Sequence, residues 1–178
     1  ILDFIDTLIP EQHFLLVGES YGGYLCRGIV LRKFTRVEGM ALICPAIITE
    51  RSRRDVPPRT IIAPDPQLLA SLDATDAEEF GAMSVVQDSN TWERFRDEIL
   101  SGAHMADETF LDKISQHYSF SFDVDQLPEP FTKPVLFLTG RQDSSTGYRD
   151  AWNILENYPR GTFAVLDRAG HNAHIEQS

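Results

Sequence analysis

Ser20, Asp143 and His171 lie far apart in the chain, yet their side chains are the three types that nucleophilic acyl transfer needs. A serine hydroxyl is a poor nucleophile near neutral pH. It requires an imidazole to take its proton and a carboxylate to orient the imidazole, all brought together by the fold. Ser20 is the candidate nucleophile because it sits in Gly18-Glu19-Ser20-Tyr21-Gly22, a Gly-x-Ser-x-Gly pentapeptide. Such a pentapeptide arises by chance in roughly 6% of chains of this length, so its surroundings must carry the argument.

Those surroundings are a strand-like run before the serine and a helix-like stretch after it. Phe14 to Val17 is a short apolar run suited to a buried parallel strand. Tyr24, Leu25, Gly28, Ile29 and Leu31 then recur at helical spacing. A strand that turns sharply into a helix needs small residues, so Gly18 and Gly22 are expected to remove Cβ atoms that would clash, leaving Ser20 at the tip.

The two partners follow strands of their own. Pro134 to Thr139 reads as a buried strand, and Gly140-Arg141-Gln142-Asp143 follows at its carboxyl end, where an open α/β sheet keeps its chemistry. Thr162 to Asp167 reads as the last strand, followed by Ala169-Gly170-His171. Asp143 is the candidate orienting acid and His171 the candidate base. Asp150 and Asp167 are rival acids, but the first falls inside the following helix and the second ends a strand. A plainer reading makes Asp143 a helix cap. His171 and His174 also form a His-x-x-His pair, but no nearby cysteine or third histidine completes a metal set, so no metal and no cofactor is expected. His13, His104 and His117 have no motif around them.

The order serine, acid, histidine, with each residue after its own strand, resembles the α/β-hydrolase superfamily, in particular its serine members with an inserted helical cap. The matching segments are GESYGG, GRQD and AGHNAHIE. The resemblance implies an α/β fold with a mostly parallel sheet flanked by helices. It implies a Ser20–His171–Asp143 triad, an oxyanion donor at the backbone N–H of Tyr21, and transfer of an acyl group from a small ester, thioester or related substrate to water. Serine at the elbow argues against the epoxide-hydrolase and dehalogenase relatives, which use aspartate there. Carbon–carbon bond hydrolysis, peptidase action and cofactor-free lyase chemistry share such triads and stay open. Glu19 is read both as a tuner of Ser20 and as a packing residue.

The resemblance also implies that the amino-terminal strands of the fold are missing from this sequence, which opens without Met at a helix-like stretch, Ile1 to Ile9, and has no His-Gly pair. On this reading the chain is a carboxyl-terminal portion, and residues 174–178 begin a helix that is cut short. The edge of the elbow strand is then unpaired, to be covered by a complementary amino-terminal segment or by a homodimer partner. The competing function is a truncated, non-catalytic binding protein that keeps the fold without a full oxyanion hole.

Charge divides the chain. Residues 46–132 hold 17 acidic against 7 basic residues, and the remainder 10 against 9. The expected organisation is a core of residues 1–45 and 133–178 with a helical cap at 46–132. Within the cap, Arg51 to Pro66 reads as irregular, Thr75-Asp76-Ala77-Glu78 as a capping box, and Asn90 as the start of a helix closed by Gly102. Asp107 precedes another helix. The cap aromatics are expected to pack mostly among themselves, with a few facing the cleft.

The 178 residues are 42% hydrophobic, enough for one core, and contain no long apolar span. A net charge of -11 disfavours nucleic acid and anionic membrane surfaces as partners. Cys26 and Cys44 are too few for a disulfide framework and read as buried thiols, which places the protein in a reducing cytoplasm.

Overall fold

The computed structural model describes residues 1–177 and places a four-stranded parallel sheet at the centre of the molecule. Helix α1 (Leu2–Leu8) leads into β1 (Phe14–Glu19), α2 (Tyr21–Arg32) and β2 (Val37–Ile43). A long helical segment intervenes before β3 (Val135–Gly140) and β4 (Gly161–Leu166). The strands lie in the order β1-β2-β3-β4. Register pairs Glu19 with Ile43, Ile43 with Leu138, and Gly140 with Leu166. Because every pair is parallel, the loops after β1, β3 and β4 leave from one end of the sheet, and these loops carry Ser20, Asp143 and His171.

One face of the sheet forms the main core. Ile5 of α1 and Cys26, Ile29 and Val30 of α2 pack on Met40, Leu42, Val135 and Phe137. Tyr158 joins them from the loop before β4. The alternation of a strand sends neighbouring side chains the other way, and on that second face Leu15 and Val17 are 71% and 70% exposed. This differs from the expectation of a strand buried on both sides. β1 pairs only with β2, so among the described residues its outer edge and second face are open.

The segment between β2 and β3 is helical, as its sequence suggests, with different caps. The helices are α3 (Pro66–Ser71), α4 (Ala74–Met83), α5 (Ser89–Phe95), α6 (Ser101–Ala103) and α7 (Glu108–Gln116), with a wide π turn at Arg96–Leu100 joining α5 to α6. Asp73, rather than Thr75, caps α4 by accepting from the N–H of Thr75, and Asp88, rather than Asn90, caps α5 by accepting from the N–H of Thr91. Both carboxylates stand two to three residues before the N–H groups they satisfy, the spacing of an N-cap. Gly102 lies inside α6 and does not close it. Asp107 caps α7 as expected, and Asp65 caps α3, which starts at the last residue of the Arg/Pro-rich stretch. Phe80, Trp92, Phe95 and Leu100 form a small core of their own.

The segment is tied to the sheet by a buried arginine. Arg27 of α2 is fully buried, and its guanidinium donates to both carboxylate oxygens of Asp125, at 2.8 and 3.1 Å. It also donates to the carbonyls of Ala46 and Ile47, at 2.9 and 3.0 Å. One side chain thereby holds both ends of the helical segment to the helix that follows Ser20. After β3 come α8 (Arg149–Asn153) and, beyond β4, the short α9 (Ala173–Glu176). The expected continuation of that last helix to residue 178 lies partly outside the described residues.

Candidate active site

Ser20 occupies the junction of β1 and α2 with φ 51 and ψ -119, a left-handed backbone that costs a non-glycine residue free energy and exposes its side chain. Its backbone is held in place: the N–H donates to the carbonyl of Ile43, and its carbonyl accepts from Gly23 and Ala46. Of the expected glycine roles, one stands and one moves. A Cβ on Gly18 would collide with the carbonyl of Gly22 and lie 2.7 Å from the Cys26 sulfur. A Cβ on Gly22 meets open space, so the tight approach is made by the backbone of Gly22 and not by its missing side chain. Gly23 is the second indispensable glycine, because its Cβ would stand 2.6 Å from Pro45.

The fold brings the three candidate residues into one line. His171 Nε2 lies 2.9 Å from Ser20 Oγ, and His171 Nδ1 lies 3.0 Å from Asp143 Oδ2. With Nδ1–H donating to the carboxylate, Nε2 carries the lone pair that faces the serine hydroxyl, the tautomer a general base needs. Asp150 and Asp167 stand elsewhere: Asp150 accepts from the N–H of Asp55, and Asp167 from the side chain of Gln142.

Asp143 is fully buried and richly hydrogen-bonded. Its Oδ1 accepts from the N–H groups of Ser145 and Thr146, at 2.8 and 3.0 Å, and its Oδ2 from the Thr146 hydroxyl at 2.6 Å. Asp143 thus closes the turn after β3 and faces the imidazole, but it does not cap the helix that follows: α8 has Tyr148 at its N-cap and no side-chain cap. Burial pushes its carboxyl up, but hydrogen bonding and charge from His171, with the Thr146 bonds, outweigh it and hold the group below the usual aspartate range. The loops of Asp143 and His171 are packed so closely that a Cβ on Gly140 would collide with the carbonyls of Ala169 and Gly170.

Tyr21 is the first residue of α2, so its N–H has no helical carbonyl four residues back and points from a helix N-terminus beside Ser20. A developing oxyanion is served by such a donor. The Tyr21 ring stacks on Tyr118, with centroids 4.1 Å apart, so the elbow touches the helical segment directly.

Several contributors had no signal of their own in the sequence. Cys44, distant in the chain, puts its sulfur within 4.8 Å of the Asp143 and His171 ligand atoms, so a third metal-type donor is at hand after all. The donors are committed elsewhere. Burial drives the Cys44 thiol far up, it lies 3.6 Å from the Gly170 carbonyl, and Asp143 already accepts four hydrogen bonds. His174 does not join His171; its Nδ1 lies 3.1 Å from Glu19 Oε1. Burial raises the Glu19 carboxyl, against the opposing pull of His174 and His171. Glu176 sits inside AGHNAHIE and is buried. Its carboxylate accepts from Val85 at 2.6 Å, Val86 at 3.3 Å and Gly170 at 2.5 Å, linking the His171 loop to the helical segment.

Ser20 and His171 open into a cleft of about 510 Å³, a size suited to a small ligand. Met83, Ser115 and Tyr118 of the helical segment line it, with Thr49, Arg51 and Arg54 from the chain after β2. Tyr118 is thus the one expected cap aromatic that reaches the cleft; Phe80, Trp92 and Phe95 pack together. No helix among the described residues is long and apolar enough to cross a membrane.

A family model described as "Alpha/beta hydrolase family" matches residues 1–178. No curated protein sequence matches the chain. Among solved structures, an alpha/beta superfamily hydrolase from Oenococcus oeni PSU-1 is similar with a TM-score of 0.85 and 27% identity, over 99% of this chain and 66% of that one. A serine hydrolase involved in carbazole degradation gives 0.63 and 16%, over 99% and 63%. The meta-cleavage product hydrolase from Pseudomonas fluorescens IP01 gives 0.56 and 21%, over 99% and 64%. The chain spans between 63% and 66% of the length of these three proteins.

Proposed function

Because the chain belongs to the alpha/beta hydrolase family, we propose that it is a serine hydrolase that transfers the acyl group of a small ester, thioester or related compound to water. The observation that carries this reading is the relay of Ser20, His171 and Asp143, with successive contacts of 2.9 and 3.0 Å. His171 Nε2 takes the hydroxyl proton as Ser20 Oγ attacks the carbonyl carbon. The resulting oxyanion meets the N–H of Tyr21, and the imidazolium faces the Asp143 carboxylate. Collapse expels the leaving group with the proton from His171 and leaves an acyl-serine. Water, deprotonated by the same imidazole, then attacks the acyl-serine and releases the acid and Ser20.

Residues 46–132 act as a cap over a core made of 1–45 and 133–178. Met83, Ser115 and Tyr118 support this, since each comes from the helical segment and faces the cleft of Ser20. The open edge of β1 and the exposed Leu15 and Val17 support a further strand against this sheet, from an additional segment or a second copy. The buried free thiols Cys26 and Cys44 fit a cytoplasmic site of action.

The test is intact-mass spectrometry after exposure to a fluorophosphonate, which captures activated serines. One adduct that Ser20→Ala abolishes supports the hydrolase. Absence of any adduct on folded protein leaves a non-catalytic binding protein of the same fold.

A further inference from the structure

The chain carries a net charge of -11, yet among the described residues no Asp or Glu lines the cleft of Ser20, and its charged wall is made by Arg51 and Arg54. Acids adjacent in sequence are turned to other partners. Glu50 accepts from Ser52 at 2.9 Å and lies 3.9 Å from Arg53, and Asp55 pairs with Arg149 at 2.8 Å. Among the described residues neither Arg51 nor Arg54 pairs with a carboxylate. Arg54 is half-buried and fixed by the carbonyls of Ile48, Ser145 and Thr49, at 2.7, 3.0 and 3.1 Å. These bonds spend three of the guanidinium's five N–H groups and none of its charge. Arg51 is exposed and makes no side-chain hydrogen bond among the described residues.

Two arginines beside a partly enclosed serine site, one fixed and one free to move, form a receptor for an anion. A guanidinium in a partly dry cleft gains most from a carboxylate, which it meets with paired, charge-assisted hydrogen bonds. We propose that the acyl substrate of this cleft carries a carboxylate, held by Arg51 and Arg54 while Ser20 meets its scissile carbonyl. The inference rests on the serine-hydrolase reading above and narrows its substrate to acyl compounds of dicarboxylic type. The carboxylate is not consumed. Acyl transfer proceeds at the other end, and the product is a dicarboxylic acid plus the leaving alcohol or thiol.

The experiment compares mono-4-nitrophenyl glutarate with 4-nitrophenyl valerate, which are matched in acyl length and differ in the terminal charge. The expected result is a kcat/KM ratio favouring the glutarate by about tenfold or more at low salt, the range of one charge-assisted hydrogen bond. Arg51→Gln should collapse that ratio, and raising the salt should shrink it. A ratio near one, or a ratio that Arg51→Gln leaves unchanged, overturns the proposal. Binding to Ser20→Ala gives a readout independent of hydrolysis, using glutaranilic acid against valeranilide in calorimetry. Preferential binding of the acid, lost in Ser20→Ala/Arg51→Gln, sustains the anion site even where no ester is turned over. Equal binding of the two rejects it, whether or not the fluorophosphonate labels Ser20.

Discussion

The hydroxyl of Thr146 lies 2.6 Å from Asp143 Oδ2, the same oxygen that faces His171 Nδ1 at 3.0 Å. The hydroxyl also lies 3.4 Å from His171 Nδ1, so it stands beside the imidazole on the same carboxylate oxygen, and Thr146 positions His171 by fixing Asp143. Thr146→Val keeps the shape and deletes this hydrogen bond. The expected loss of stability at neutral pH is about 1–3 kcal/mol. Hydrogen bonding lowers the Asp143 carboxyl in the folded state, so its stabilisation is present above the unfolded value of about 3.9 and is lost as pH falls from there through the folded value. The variant weakens that lowering. Melting temperatures should thus differ most near neutrality and converge in acid, below pH of about 4. A constant gap across the titration would mean that Thr146 acts by packing and through its contact with the Cys44 carbonyl, 3.0 Å away, and not through Asp143.

Glu176 makes a second prediction, because one carboxylate satisfies donors on two separate segments. Its Oε1 serves Val85 and Val86, and its Oε2 serves Gly170, next to His171. An amide in its place turns an N–H towards one of these donors whichever way it is flipped. Glu176→Gln is expected to cost about 1–3 kcal/mol. Amide exchange should quicken at residues 85–86 and 169–171 together, and kcat should fall more than KM rises. Faster exchange on one segment alone would show that the two are not coupled through this carboxylate.

The parts of the site legible in the sequence were those repeated by local pattern. An apolar run followed by a loop residue marks the end of a parallel strand, and this held for Ser20, Asp143 and His171 because all four strands run the same way. Tertiary partners carried no such mark. Cys44, Thr146 and Glu176 reach the site from positions set by packing, and Arg27 looks in sequence like any basic residue on a helix. Helix caps slipped by two residues for a related reason: Asp73 and Asp88 compete with nearby Thr75 and Asn90, and only the backbone angles decide between them.

The glycines of the elbow give a third prediction, which separates space from backbone. Gly22 lies in the first turn of α2 with open space at its Cβ position. Gly22→Ala should leave stability unchanged or raise it by about 0.4–1 kcal/mol, through the unfolded chain. Gly18→Ala and Gly23→Ala place a methyl against the Gly22 carbonyl and Pro45, and each should cost about 1–3 kcal/mol. Denaturant titration of the three variants checks the order. A Gly22→Ala as damaging as the other two would mean that the elbow tolerates no side chain anywhere along GESYGG.

Arg27 gives the prediction with the largest expected effect. Its buried guanidinium serves Asp125 and the carbonyls of Ala46 and Ile47, so its removal strands a carboxylate and two backbone acceptors at once. Breaking a buried pair by deleting one partner costs about 3–5 kcal/mol, against roughly 2–4 °C of melting temperature per kcal/mol in a chain of this size. Arg27→Met fills similar space without donors, so the loss it causes is electrostatic rather than a cavity. Arg27→Met/Asp125→Leu removes the stranded carboxylate and should recover part of that loss. The two contact sites bracket the helical segment, so hydrogen exchange in Arg27→Met should rise at residues 46–49 and 120–127 before it rises in the sheet. If exchange instead rises uniformly, the arginine stabilises the whole core and does not tether the segment above Ser20.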